Sequence, residues 1–239
     1  MLTRHRTIIL IIKLLIMSEL LKLNQVNLTY QTGDESIKVL KDIDLKTMKK
    51  ETISFVGESG SGKTSLIMWM AGLEQPTSGE IIFDQQPIST FNEDELADIR
   101  KKKIGIVFQS FYLIPNYTAL ENVSLILEIN GIDNSKQKAE ELLIQFGLKD
   151  RLHHFPTQLS GGEQQRVAIA RSMAVKPKLI LADEPTGNLD SENSQMISNL
   201  LFEYANKNQS SFVLVTHDLK FAEKCDRIIK IEDGTIVSS

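Results

Sequence analysis

The octapeptide GESGSGKT at residues 57–64 constrains this chain more than any other segment, because it fits G-x-x-x-x-G-K-[ST] at every fixed position. A β-prone apolar run at 52–56 precedes it, and a helical run at 65–71 follows it and ends at Gly72. Glycines let successive backbone N–H groups point inward, and the start of a helix adds further donors. The segment therefore predicts a phosphate-binding loop, against the alternative of an ordinary glycine turn.

Two side chains at the end of this loop indicate which phosphate compound it binds. We expect Lys63 to reach the β- and γ-phosphates of a nucleotide and the Thr64 hydroxyl to ligate Mg²⁺. The charge of Lys63 would also serve catalysis by offsetting charge on the phosphoryl oxygens. The nucleotide-binding residues predicted in this segment are Gly57, Glu58, Ser59, Gly60, Ser61, Gly62, Lys63, Thr64 and Ser65.

A short apolar run at 178–182 ends in Asp183 and Glu184. An acid at the carboxyl end of a buried strand, beside a phosphate-binding loop, is the arrangement that holds Mg²⁺. We expect Asp183 to bind the metal through water and Glu184 to polarise an attacking water as general base. The alternative, a solvated turn, is disfavoured by the complete phosphate loop upstream.

A second helix start is predicted at Ser160, a strong N-cap residue with Glu163 three positions later, as in a capping box. Gly161 and Gly162 occupy its first turn, although glycine is a poor helix former. A well-capped helix with no further role is one interpretation. Close approach of another group to this backbone would explain the glycines, which favours a second anion-binding helix start.

Three more candidate residues stand at strand ends. Gln109 follows the buried run 104–108, His217 follows the run 211–215, and Tyr30 ends the first strand. The carboxyl ends of parallel strands gather at a ligand crevice, which favours a functional role for His217 over the structural role usual for a lone histidine. An adenine base can stack on the Tyr30 ring, with packing of the strand end as the alternative.

The composition is that of an ordinary globular protein, with 239 residues, 41% of them hydrophobic, and a formal net charge of −4. The length allows one large domain or two small ones. The chain has no excess of basic residues that would indicate nucleic acid as a partner. The single cysteine, Cys225, excludes an internal disulfide framework and suits a reducing cytosol.

The N-terminal residues are atypical. Residues 8–16 are almost wholly apolar after a basic start, but this run is shorter than the ~20 residues of a membrane span. Met17 and two polar residues follow, in place of the small residues of a cleavage site. We expect translation to begin at Met17, which makes residues 1–16 an upstream extension, and we expect the domain itself to begin at residue 19, after an N-terminal extension at 1–18. A membrane-contacting anchor is the alternative.

Taken in order, these motifs resemble those of the ATP-binding cassette (ABC) ATPases of ABC transporters, over essentially residues 19–239. The signature motif is the most specific of them, since other P-loop ATPases lack it. The matching segments are Walker A at 57–64, the Q-loop at Gln109, the signature at 159–163, Walker B at 179–184, the D-loop at 188–190, the switch histidine His217 and the adenine-stacking Tyr30.

The resemblance implies an α/β fold, a P-loop NTPase with a mainly parallel central sheet, an N-terminal antiparallel β subdomain and an α-helical insert at about 118–176. It implies ATP and Mg²⁺ as cofactors, and two cassettes that face head to tail. The residues it assigns to the nucleotide held by the partner are Ser160, Gly161, Gly162, Glu163 and Asp190. It assigns catalysis to Glu184, His217, Lys63 and Gln109, and the metal to Thr64, Gln109 and Asp183.

The implied partners are ATP, a second copy of the chain and an integral membrane permease, with no nucleic acid. The implied location is the cytoplasmic face of the membrane. Segments 113–116, 119–123 and 181–190 look like the lipoprotein-release and macrolide-exporter subgroup, whose permeases transmit force across the membrane. ATPases of antimicrobial-peptide efflux and resistance look similar. A soluble ABC-type ATPase acting on DNA or ribosomes is the alternative, although those usually carry two fused cassettes or a coiled-coil insert.

Overall fold

The computed structural model describes residues 18–32 and 35–238. The predicted start at Met17 and the apolar run before it lie outside these residues. The strands are β1 (Glu19–Thr32), β2 (Glu35–Met48), β3 (Thr52–Val56), β4 (Ser78–Phe83), β5 (Gln86–Pro87), β6 (Ile104–Phe108), β7 (Leu179–Asp183), β8 (Ser211–Val215), β9 (Arg227–Glu232) and β10 (Thr235–Ser238). The α-helices are α1 (Lys63–Met70), α2 (Glu93–Lys103), α3 (Ala119–Ile129), α4 (Ser135–Gln145), α5 (Gly161–Met173), α6 (Ser191–Asn208) and α7 (Leu219–Ala222). Short 3₁₀ turns occupy Ile88–Thr90, Lys149–Arg151 and Pro156–Gln158.

The central sheet has six strands in the order β10-β9-β3-β8-β7-β6. The pairs from β9 to β6 are parallel, and only the edge pair β10/β9 is antiparallel. Helices cover both faces, so alternate residues of β7 belong to different cores: Leu179 and Leu181 to one, Ile180 and Ala182 to the other. This doubly covered parallel sheet brings the carboxyl ends of β3, β6, β7 and β8 to one edge.

A smaller antiparallel sheet, in the order β2-β1-β4-β5, shares the first core with α1. The apolar alternation along β1 slips between Leu23 and Val26, which predicts irregular pairing, and the register with β2 shifts there. The sequence Pro-Thr-Ser-Gly at 76–79 predicts a turn before a strand at 80–83, but this turn is wrong at its end, because Ser78 pairs with Asn27 and β4 already begins at Ser78.

The second core lies under α3, α4, α5 and α6. Capping boxes begin both α3, with Thr118 and Glu121, and α5, with Ser160 and Glu163. The apolar spacing along 133–147 predicts a helix that ends at Gly147, and α4 occupies 135–145 of that range. With its mainly parallel sheet, antiparallel β sheet and helical insert, the architecture confirms the predicted fold class. Within the described residues, no helix combines the length and hydropathy needed to cross a bilayer.

Candidate nucleotide-binding site

The loop between β3 and α1 is packed too closely for a side chain at its first glycine. A Cβ on Gly57 would lie 2.2 Å from the carbonyl oxygen of Ile231 and 3.0 Å from Ser61 Oγ. Because that carbonyl belongs to the backbone of β9, it cannot move aside cheaply. Glycine is therefore required here, and the close packing fixes the course of the backbone that the phosphate-loop pattern predicts.

Lys63 is the first residue of α1, and its ammonium turns back over this loop. Nζ donates to Gly57 O at 2.9 Å, to Glu58 O at 2.6 Å and to Ser61 Oγ at 3.3 Å. Burial lowers the pKa of Lys63, while the charges of Glu184 and Asp183 act in the opposite direction. A buried cation held mainly by neutral oxygens favours an anionic partner, which fits a phosphate.

Thr64 and Asp183 meet at the mouth of the loop. Thr64 Oγ1 donates to Asp183 Oδ2 at 2.9 Å. Burial raises the pKa of Asp183, and the hydrogen bond from Thr64 opposes that shift. Hydroxyl and carboxylate oxygens are the ligands that Mg²⁺ prefers, so this pair fits the metal that the sequence predicts.

Strand register brings three more candidates level with Asp183. Asp183 pairs with Phe108 of β6 and with Val215 of β8. The residues that follow these strands are therefore neighbours at one edge of the sheet. They include Gln109 after β6, Glu184 after β7 and His217 shortly after β8.

Glu184 and His217 form the closest pair of side chains in this row. Nδ1 of His217 lies 2.9 Å from Oε2 of Glu184, with 74% of the histidine side chain exposed and 18% of the glutamate. This oxygen is buried, and none of the described residues donates a hydrogen bond to it. A buried carboxylate oxygen with spare accepting capacity beside a cavity can accept a proton from water.

Gln109 is held by the D-loop segment. Its Nε2 donates to Asn188 Oδ1 at 3.2 Å, and Asn188 Nδ2 donates back to the backbone oxygen of Gln109 at 3.2 Å. This reciprocal pair links the loop after β6 to the segment between Glu184 and α6. Asn188 contributes a polar contact that sequence analysis did not assign to the site.

A cavity of about 470 Å³ joins these groups and has the size of a small-molecule site. Sequence analysis missed Val39 and Val215, which line it, because apolar strand residues carry no signal that distinguishes a cavity wall from a core. The predicted site residues that line it are Gly57, Ser59, Gly60, Gly62, Lys63, Thr64, Ser65, Gln109, Asp183, Glu184 and His217.

The predicted signature residues do not line this cavity. Ser160 and Glu163 exchange their capping hydrogen bonds, and Arg151 Nε donates to Glu163 Oε1 at 2.7 Å. The bond from the Ser160 backbone does most to lower the pKa of Glu163. A Cβ on Gly162 would lie 2.3 Å from Oδ1 of Asn193, so this glycine allows α5 to approach the start of α6.

Two other predicted site residues do not line the cavity. Asp190 is the N-cap of α6, where its Oδ1 accepts from the Asn193 N–H at 2.9 Å. The Tyr30 hydroxyl donates to the Glu74 carboxylate, and this bond raises the pKa of Tyr30. Tyr30 as a whole residue is 42% exposed, which is compatible with stacking. Glu58 and Ser61 contact Lys63 and do not line the cavity.

The candidate metal ligands Thr64, Asp183 and Gln109 include one carboxylate. In the described part of the chain, no three or more His, Cys, Asp or Glu side chains are grouped so that they could hold a metal ion. Mg²⁺ in such sites takes one or two protein ligands and completes its shell with phosphate oxygens and water. Thr64, Asp183 and Gln109 fit that donor set.

Comparison with known proteins decides the family. The profile of the family described as "ABC transporter" matches residues 40–187. This chain belongs to the ABC transporter ATPases. It is 42% identical to the lipoprotein-releasing system ATP-binding protein LolD of Idiomarina loihiensis, over 91% of this chain and 96% of that protein. It is 44% identical to the uncharacterized ABC transporter ATP-binding protein YbbA of Escherichia coli K12, over 85% and 90% of the two chains.

A solved structure of similar sequence shows the same fold. It is the dimeric post-hydrolysis state of the ATP-binding cassette MJ0796 bound to ADP and Pi, with 41% identity and a TM-score of 0.85 over 91% of this chain and 97% of that one. The cavity around Gly57–Thr64 thus belongs to an ABC ATPase, which binds and hydrolyses ATP.

Proposed function

We propose that this chain is the Mg²⁺-dependent ATPase subunit of an ABC transporter and acts at the cytoplasmic face of the membrane. One observation carries the proposal. The Lys63 ammonium, the Thr64–Asp183 pair and the Glu184–His217 pair all converge on the cavity next to the phosphate loop. We also infer that residues 19–239 form the ATPase domain, with the helical insert at about 118–176.

The residues take separate parts in hydrolysis. Lys63 and the loop N–H groups bind the phosphates and offset the charge that spreads over their oxygens during transfer. Thr64 and Asp183, with Gln109, would hold Mg²⁺, which would supply positive charge to neutralise the phosphate oxygens. Glu184 takes the proton of the attacking water, because its buried oxygen has accepting capacity to spare. His217, next to it, contacts the γ-phosphate side of the site.

A second copy of the chain completes each site. Ser160, Gly161, Gly162 and Glu163 lie outside this chain's own cavity, although their helix start suits an anion. The relative bound to ADP and Pi is dimeric. We infer that two copies face head to tail, so that the signature of each closes on the nucleotide in the other. Asp190 lies beside that contact.

The membrane partner is an integral permease. The LolD relative belongs to a lipoprotein-releasing system, and its 42% identity extends over 96% of its length. That likeness supports a permease that transmits force across the membrane, in lipoprotein release, macrolide-type export or antimicrobial-peptide efflux.

Fractionation of the native host tests this proposal. We expect the tagged full-length chain to sediment with membranes, to be released by alkaline carbonate, and to copurify with an integral membrane protein in mild detergent. The purified chain should hydrolyse ATP only with a divalent cation such as Mg²⁺. Recovery of the chain with ribosomes or nucleic acid, and not with membranes, would refute the transporter assignment in favour of the alternative class.

A further inference from the structure

Arg171, near the end of α5, reaches across to the loop that follows Gln109. Its Nη2 donates to the backbone oxygen of Phe111 at 3.0 Å, and its Nη1 donates to that of Tyr112. Burial lowers the pKa of the Arg171 guanidinium, and no carboxylate of the described residues pairs with it. Arg171 is half-buried, so its guanidinium is partly desolvated at some cost, and these two carbonyl oxygens are its hydrogen-bond acceptors among the described residues.

The loop that Arg171 holds has an uncommon backbone. Tyr112 has φ +47°, in the left-handed region that a bulky residue rarely adopts. Its ring packs edge to face on Phe108, the residue before Gln109, with centroids 5.3 Å apart. Such a conformation persists only where surrounding contacts enforce it, and the guanidinium supplies two of those contacts.

A second side chain of α5 holds the other side of Gln109. Gln165 is fully buried, and its Nε2 donates to Phe108 O at 3.3 Å and to Pro185 O at 2.7 Å. Phe108 immediately precedes Gln109, and Pro185 immediately follows Glu184. Hydrogen bonds from one helix thus flank Gln109 on both sides and also touch the segment of the general base.

We propose that Arg171 is a positioning residue for ATP hydrolysis, which fixes Gln109 relative to the signature turn of α5. Both belong to one rigid helix, with Gly161 at its first residue and Arg171 ten residues further on. A helix of this length moves as a unit, so closure of a partner on the signature turn displaces Arg171 and, through the Phe111 and Tyr112 carbonyls, the Gln109 loop. Gln165 restricts the same loop from its other side.

This inference rests on the proposed role of Gln109, so the experiment must separate the two. The variants are Arg171→Met, which keeps the length of the side chain and removes the donors, Gln109→Ala, and the double substitution. Arg100→Met is the matched control, because Arg100 also donates to a backbone carbonyl, Gly72 O at 2.6 Å, far from this loop in the chain.

We expect Arg171→Met to lower kcat about tenfold while the KM for ATP stays within about twofold of wild type, because a misplaced group slows the reaction without removing a phosphate contact. In a Gln109→Ala background, Arg171→Met should lower kcat by no more than about twofold further, since both act on one group. If the two effects multiply, Arg171 does not act through Gln109. If Gln109→Ala alone leaves kcat unchanged, the proposed role of Gln109 fails instead.

Amide hydrogen exchange of the nucleotide-free full-length chain provides a readout that does not depend on activity. We expect Arg171→Met to speed exchange across 109–117 at least about tenfold, and Arg171→Lys, which keeps one donor group, to restore part of the protection. Arg100→Met should lower Tm without changing exchange at 109–117. Unchanged exchange in that segment for Arg171→Met would overturn the proposal.

Discussion

Nδ1 of His217 lies 2.9 Å from Oε2 of Glu184, at the point where the carboxyl ends of β7 and β8 meet. This oxygen is buried and has no hydrogen-bond donor among the described residues. The pair therefore joins the residue proposed to activate water to the residue proposed to contact the γ-phosphate.

Glu184→Gln should separate ATP binding from turnover. The amide keeps the size of the side chain but cannot take a proton from water, so we expect the steady-state rate of phosphate release to fall at least about 10²-fold. Affinity for ATP should stay within about twofold, since Lys63 and the phosphate loop are unchanged. Phosphate release and equilibrium binding of a fluorescent ATP analogue measure the two. Hydrolysis at the wild-type rate would exclude Glu184 as the base.

Asp183→Asn should stabilise the nucleotide-free protein while it removes the effect of the metal. Burial raises the folded-state pKa of Asp183 above its ordinary 3.8, so the unfolded chain ionises first as the pH rises. As the pH rises from 3.8 to the folded-state pKa of Asp183, the free energy of unfolding falls. At neutral pH this loss of stability is complete. The substitution removes this cost, and we expect Tm at pH 7.5 to rise by about 2–4 °C.

ATP should raise the Tm of Asp183→Asn by the same amount with and without Mg²⁺ in the same thermal scans. A ligand stabilises only a folded state that binds it, and this variant should not bind the metal. Thr64→Ser keeps the hydroxyl and is the control that should retain the Mg²⁺ increment. A full Mg²⁺ increment in Asp183→Asn would contradict the metal assignment.

Ser160→Asp should prevent the nucleotide-dependent dimer without loosening α5. Aspartate is as good an N-cap as serine, so the Tm should change little. A negative charge at this position, however, would face the phosphates of the partner's nucleotide and repel them. In the Glu184→Gln background with Mg-ATP, light scattering should show a dimer for Ser160→Asn, which is neutral, and a monomer for Ser160→Asp. Equal dimerisation of Ser160→Asp and Ser160→Asn would show that residue 160 does not face the phosphates of the partner's nucleotide.

Three of the buried parallel strands could be predicted to the residue, and β7 is shifted by one residue from its predicted run at 178–182, whereas contacts between distant segments could not be predicted. The runs 52–56, 104–108 and 211–215 are β3, β6 and β8 without change, because strands covered on both faces are continuously apolar. Met196 shows the limit of periodicity. Helical spacing along 191–207 predicts Met196 on the same face as Ile197 and Leu201, but Met196 is 45% exposed and its Sδ contacts Arg166.

The links between Arg171 and the Gln109 loop, and between Tyr30 and Glu74, likewise have no sequence signal. Arg171 lies 60 positions from Phe111 and 59 from Tyr112 in the chain. Tyr30 lies 44 positions from Glu74. The cavity residues were predictable because each follows a strand whose end the parallel topology fixes. The interactions that hold these loops depend on side-chain directions set by packing, which composition and spacing do not encode.

Asp84→Asn should weaken the link between the antiparallel sheet and the central sheet. Asp84 Oδ2 accepts from Lys178 at 2.7 Å and from Lys103 at 3.0 Å, with only 12% of its side chain exposed. Burial alone would raise the pKa of Asp84, but the lysine hydrogen bonds and charges outweigh it and hold the pKa below 3.8. The stabilising effect of the Asp84 carboxylate is therefore complete above pH 3.8, and it is lost as the pH falls through the folded-state pKa of Asp84.

We expect Asp84→Asn to lower the free energy of unfolding by about 1–3 kcal/mol at pH 7, as for loss of a charged hydrogen-bonding partner. Urea unfolding at pH 7 and at a pH near 3 measures the effect, which should shrink at the lower pH. Asp98→Asn removes an exposed i,i+4 pair with Lys102 and is the matched control, with no measurable change expected. Equal effects of the two substitutions at pH 7 would contradict the role given to Asp84.

Tyr30→Phe and Tyr30→Ala together decide what the tyrosine contributes. The Tyr30 hydroxyl is occupied by Glu74 and the residue is partly exposed, so a role in stacking requires the ring and not the hydroxyl. Stacking on a base is worth about 1–3 kcal/mol. We therefore expect Tyr30→Ala to weaken ATP binding by about 5- to 150-fold and Tyr30→Phe to weaken it by less than about twofold. Inorganic triphosphate, which has no base, should bind all three proteins alike. If Tyr30→Ala binds ATP as tightly as wild type, the ring only packs the end of β1.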